Sequence, residues 1–260
     1  MLTLTTGQLE TWLGQVLWPF VRVGSCLMVA PVFSSQAVPV RIRIVLAGAI
    51  ALILAPMIVI PAQLSAFSIE GLVVTAQQVV IGIALGFCLQ LVFDAITLGG
   101  QLIANSMGLS YAQSLDPIRG VSSTALGELY GIFVTLVFLA LDGHLRLIEV
   151  LADGFRTLPI GGAGFGPTDL WQVVIWGGTL FSGALSIALP GITALLIVNL
   201  AFGMVSRAAP ALNLMAVGFP VILVFGLLVL VVSVPQLLSG FERLLGQSFM
   251  VLQSLSGARI

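Results

Sequence analysis

The chain has 260 residues, of which 59% are hydrophobic and only 7% charged, with a formal net charge of −1. A soluble domain carries about 25% charged residues, so this chain cannot coat a water-facing surface and has to meet lipid, other protein, or both. Without a basic run or an acidic tail, no nucleic-acid partner is expected.

The natural unit is therefore the membrane span, about 20 apolar residues long. The first apolar run covers 11–33 and is interrupted by Pro19 and Arg22. No Lys or Arg precedes Arg22, so the charged start of a cleaved signal peptide is missing and this run is expected to stay in the mature protein. A polar link, Ser34-Ser35-Gln36, leads to Arg41 and Arg43, and a second run covers 44–60. The third spans 71–93 and stops before Asp94. The fourth, 129–141, is short and lies between Glu128 and Asp142. No charge occurs over 170–206 or 208–241, and either stretch is long enough for a span or for a hairpin bent at Pro190 or Pro220.

About six apolar segments follow. Because they are continuous rather than alternating, a β-barrel is disfavoured, and lipid-exposed backbone has to be helical. The expected fold class is all-α: a polytopic membrane protein built of helical hairpins. Two long polar connections separate the segments. The first, 94–128, holds Gly99, Gly100, Gly108, Pro117 and Gly120; the second, 142–169, holds a glycine cluster from Gly161 to Gly166. The positive-inside rule gives no orientation: six crossings put Arg41, Arg43, Arg119 and Arg207 on one side and Arg146, Arg156, Arg243 and Arg259 on the other. Either one segment is re-entrant or the chain does not thread the bilayer in the ordinary way.

Catalytic cues are scarce, and no enzyme, cofactor or metal is expected. A phosphate loop of the G-x-x-x-x-G-K type needs a lysine, and the chain has none. The single histidine, His144, excludes an H-E-x-x-H site and reads as a capping residue before it reads as a proton carrier. The glycine cluster at 161–166 follows Leu158-Pro159 rather than a strand, which marks a flexible linker. Cys26 and Cys88 sit in apolar runs and behave as small buried hydrophobes. The charges set in apolar context carry more information, because they are costly there. Arg22, Asp94 and Arg207 are expected either to pair with carboxylates or a partner's carbonyls, or to line a solute path. Gly82 and Gly86 form a GxxxG step, and Gly177, Gly178, Ser182, Gly183 and Ser186 form a second small-residue surface, as in closely packed helices.

Four blocks stand out in one order: RIRIVLAGAIALILAP at 41–56, GIALGFCLQLVFDAITLGGQLIANSMGLSYAQSLDP at 82–117, the stretch from Asp142-Gly143-His144 to Leu158-Pro159-Ile160-Gly161, and LPGITALLIVNLAFGMVSRAAPALNLMAVGFPVILVFGL at 189–227. Together they resemble the FliR family of flagellar type III export-gate subunits. The resemblance covers most of the chain and is shared by injectisome relatives. It implies a non-enzymatic subunit of the bacterial inner membrane and the flagellar basal body, joined to FliP-, FliQ- and FlhB-type subunits, through which unfolded flagellar proteins are exported. It also implies a FliP-like part over 1–169 and a FliQ-like helical hairpin over 170–260, in an assembly raised out of the usual bilayer plane. The segment around 106–120, with Met107, Gly108, Leu109, Ser110, Tyr111, Leu115, Asp116, Pro117 and Ile118, matches the family's channel plug. Met107, Leu109 and Leu115 are expected to face the pore. Arg22, Gly82, Gly86, Arg207 and Pro210 are expected to serve assembly, with Arg207 buried against a partner or a carboxylate. The competing reading is a small secondary transporter using Arg22, Asp94 and Arg207, although the inverted repeat common in such proteins is not visible.

Overall fold

The computed structural model describes residues 6–35, 37–61, 64–109, 124–208 and 214–257, and every regular element among them is helical. In chain order these are α1 (Thr6–Val29), α2 (Val40–Leu54), α3 (Ile69–Ser106), α4 (Ala125–Ala140), α5 (Gly143–Thr157), α6 (Pro167–Trp176), α7 (Thr179–Ala208) and α8 (Leu214–Leu255), with a short 3-10 turn at Ala55–Met57 after α2. Among the described residues, five helical stretches are long and apolar enough to cross a membrane, or six if the broken pair α4–α5 counts as one span. The all-α, polytopic architecture expected from hydropathy is what the chain adopts.

The boundaries differ from the hydropathy reading in instructive places. α3 does not stop at Asp94 but runs 38 residues to Ser106. Asp94 is exposed on it, and its glycine pair is packed instead of breaking the helix: a Cβ at Gly99 would lie 3.2 Å from the Ala184 carbonyl oxygen, and one at Gly100 3.0 Å from the Tyr130 ring. Pro190 and Pro220 lie inside α7 and α8, as prolines do in membrane helices where neighbours satisfy the freed carbonyls. The connection 142–169 contains a helix of its own, α5, whose buried face is Leu147, Val150, Leu151, Gly154 and Phe155. Asp142 starts it in the left-handed region, φ 55°, a conformation that Asp tolerates better than most residues.

The chain gathers into two compact units. One comprises Met1–Leu91, Phe138–Gly177 and Gly246–Ile260; the other comprises Val92–Val137 and Gly178–Leu245. The first has a core of Trp18, Val23, Leu27, Ala47, Ile50, Leu54, Val74, Phe155 and Ile160. Its α1–α3 seam is close because Gly82 and Gly86 lie against the backbone of α1: a Cβ on Gly86 would meet the Cys26 carbonyl oxygen at 2.6 Å. The GxxxG step thus does what its spacing implies. The cluster at 161–166 is a packed turn, not a free linker. Gly161, at φ 83°, lies on Pro61 and Leu64, and Gly164, at φ 65°, lies on Gln77. Positive φ at both positions is what required glycine there. In the second unit, Phe93 meets Phe241 edge-to-face at 5.6 Å, and Gly183 packs on Ala95 and Leu244.

Candidate functional site: a buried arginine and the end of the central helix

The sequence-predicted residues fall into separate places. Arg22, Gly82 and Gly86 come together on the α1–α3 seam of the first unit. Met107, Gly108 and Leu109 sit at the C-terminal end of α3 in the second. Arg207 is exposed in the last turn of α7. Ser110, Tyr111, Leu115, Asp116, Pro117, Ile118 and Pro210 lie outside the described residues.

Arg22 is completely buried, which ordinarily costs several kcal/mol unless every donor is matched. Its acceptors are neutral oxygens of its own chain. Nε donates to Gln78 Oε1 at 2.7 Å, Nη1 to the Gly154 carbonyl at 3.0 Å and Nη2 to the Leu158 carbonyl at 2.9 Å. The guanidinium plane lies 4.1 Å from the centroid of the Phe155 ring. Leu158 is the C-cap of α5, and the last carbonyls of a helix have no partner within it. They also carry the negative end of its dipole. Arg22 therefore closes the end of α5, with the Phe155 ring supplying a cation–π contact. One turn earlier on α1, Trp18 donates from its indole nitrogen to Thr75 Oγ1 at 3.1 Å. An arginine engaged in this way is a structural cation, and the transporter reading loses the first member of its path.

The end of α3 is built with similar closure. Gly108 takes φ 77°. The Leu109 N–H donates to the Ala104 carbonyl at 3.1 Å and the Gly108 N–H to Asn105 at 3.0 Å. This pair of bonds around a left-handed glycine is a Schellman stop. Asn199 Nδ2, on α7, donates to the Ser106 carbonyl at 3.4 Å. Met107 turns inward, 2% exposed, so in this chain it is packed rather than open to a pore. At the start of α4, the Thr124 hydroxyl accepts from the Gly127 N–H at 3.2 Å, an N-cap. Both flanks of 110–123 are thus fixed by helix caps. Gly108 was legible in sequence as a turn glycine; Asn199, sitting mid-run, gave no signal.

Long apolar helices and a buried, fully engaged arginine define a polytopic, all-α membrane protein. Residues 13–248 match the family described as bacterial export proteins, family 1. The chain is 37% identical over 255 residues to the flagellar biosynthetic protein FliR of Pectobacterium carotovorum subsp. carotovorum, covering 98% of this chain and 97% of that one. It is 36% identical over 256 residues to the FliR protein of Escherichia coli (strain K12), with the same coverage. It is 31% identical over 228 residues to that of Aquifex aeolicus (strain VF5), covering 87% of each chain. The chain belongs to the FliR family of flagellar biosynthetic proteins, multi-pass membrane components of the bacterial flagellar export apparatus.

Proposed function

We propose that this chain is a non-enzymatic subunit of the flagellar type III export gate in the inner membrane. In this role it assembles with FliP-, FliQ- and FlhB-type subunits and helps to form and seal the channel that passes unfolded flagellar proteins. Residues 1–169 act as a FliP-like part and 170–260 as a FliQ-like hairpin, and the segment 107–120 belongs to the seal.

The observation that carries the assembly role is uneven burial. Within an apolar 18-residue window α3 is 67% buried, whereas the corresponding windows of α8 and of α6–α7 are only 11% and 22% buried. Over these windows the C-terminal helices thus keep most of their apolar surface for something outside the chain, while the end of α8 buries Leu237, Phe241, Leu245 and Phe249. A helix 42 residues long, as α8 is, has a contour of about 63 Å at 1.5 Å per residue. That is twice the roughly 30 Å of a bilayer core, so lipid alone is a poor match and protein partners a better one. The names of the relatives favour the flagellar apparatus over an injectisome.

The test is co-expression of the full chain with FliP-, FliQ- and FlhB-type partners, followed by deletion of 110–120. The complex should survive detergent extraction in both cases, and the deletion should admit small solutes. Recovery of a folded monomer with no affinity for these partners would sink the assembly role. An assembled deletion complex in a membrane as tight as that of the parent would place the seal elsewhere.

A further inference from the structure

The last turn of α3 is held from two other helices of its unit. Gly226 on α8 lies directly against Met107: a Cβ there would sit 2.7 Å from the thioether sulfur and 2.8 Å from Cγ, so no side chain fits while Met107 keeps its seat. Asn199 on α7 occupies the Ser106 carbonyl, one of the acceptors a helix end cannot satisfy itself. One turn earlier, Ile103 packs on Gly191, whose Cβ would lie 3.3 Å from the Ile103 side chain. Elements that move in gating come from the low-stability end of a structure, with few buried contacts and exposed backbone bonds. This helix end has the opposite character.

We infer that the end of α3 is a fixed mount, with Met107, Asn199 and Gly226 as positioning residues that hold it in place while substrate passes. The inference deepens the seal reading, on which it rests for the significance of the mount. Export then proceeds without α3 leaving α8.

The geometry supplies its own test. Because a Cβ on Gly226 falls 2.8 Å from Met107 Cγ, the pair Met107→Cys with Gly226→Cys is close to disulfide geometry. In cells carrying the full chain and its export partners, oxidation of this pair should leave secretion of flagellar subunits at the reduced level. Secretion that stops on oxidation and returns with reductant would overturn the mount, because α3 would have to leave Gly226 for export. A second arm reads position rather than motion. Gly226→Leu should unseat Met107 and lower secretion at least fivefold, and adding Met107→Ala should restore most of it. A double variant no better than the single one would show that the two side chains do not share a seat. If Gly226→Leu does not accumulate, the disulfide arm decides alone. Failure of the 110–120 deletion to leak would sink the seal reading and leave the disulfide result intact, so the two failures are distinguishable.

Discussion

Replacing Arg22 by methionine keeps the unbranched apolar stem of the side chain and removes the guanidinium. The Gly154 carbonyl would keep its bond from the Leu158 N–H, but Gln78 Oε1 and the Leu158 carbonyl would lose theirs. An orphaned buried acceptor costs about 1–3 kcal/mol. Loss of a desolvated cation–ring contact adds up to about 2 kcal/mol. The methionine recovers part of this, since a buried charge no longer needs matching. A net destabilisation of about 3–5 kcal/mol follows, within the range for breaking a buried charged interaction and a large share of the 5–15 kcal/mol that stabilises an ordinary domain. The loss should appear in the detergent-extracted complex as faster amide exchange across 143–158, where α5 loses its C-terminal partner. Arg22→Lys should fail almost as badly, because an ammonium lacks the rigid fork that reaches three acceptors. Pairing Arg22→Met with Gln78→Leu should recover about 1–2 kcal/mol by removing one orphan. Exchange in α5 unchanged by Arg22→Met would refute the reasoning and show that packing alone closes the helix.

Three further outcomes follow from the same contacts. Gly82→Val should force α1 off α3, because a Cβ there meets Ser25 Oγ and the Arg22 carbonyl oxygen; overpacking of this kind costs about 1–3 kcal/mol, readable as a lowered melting midpoint of the complex. Gly108→Ala should cost about 1–2 kcal/mol through its φ of 77° and Gly108→Asn less, an order that thermal denaturation of the two variants checks. Arg207→Leu should leave the chain's own fold intact, since the residue is exposed, yet reduce recovery of partner subunits on affinity purification, whereas Arg259→Leu should not; equal recovery would make Arg207 merely interfacial.

What the sequence disclosed depended on where the physical signal resides. Continuous apolar runs declared the helices, and glycines four residues apart declared the α1–α3 seam. Arg22 stood out because charge in an apolar run is costly, but its acceptors did not. Two of the three are main-chain oxygens, which every residue carries, and they lie in a stretch classed as a polar connection. α5 was missed because its exposed face, with Arg146, Glu149, Asp153 and Arg156, lowers mean hydropathy below that of a span while its other face is fully core. The end of α3 was set too early for a related reason: Asp94 was taken as a boundary although an exposed helix face accommodates it. Glycines misled in both directions, since Gly99 and Gly100 serve helix packing and Gly161 and Gly164 serve a packed turn. Legible composition therefore outran legible contact, and the Met107–Gly226 seat became visible only once α3 and α8 were folded together.

The arginine clamp also carries a timetable. Arg22 leaves the ribosome 56 residues before Gln78 and 136 residues before Leu158. At about 5–20 residues per second, the interval to its last acceptor is about 7–27 s. Until then α1 holds an incompletely matched cation, which lipid disfavours. α1 is accordingly made well before its buried cation is fully matched, which happens only when the C-terminus of α5 emerges. A nascent chain arrested before residue 158 should therefore leave α1 open to water-soluble thiol reagents at an introduced cysteine, and one arrested well after it should not.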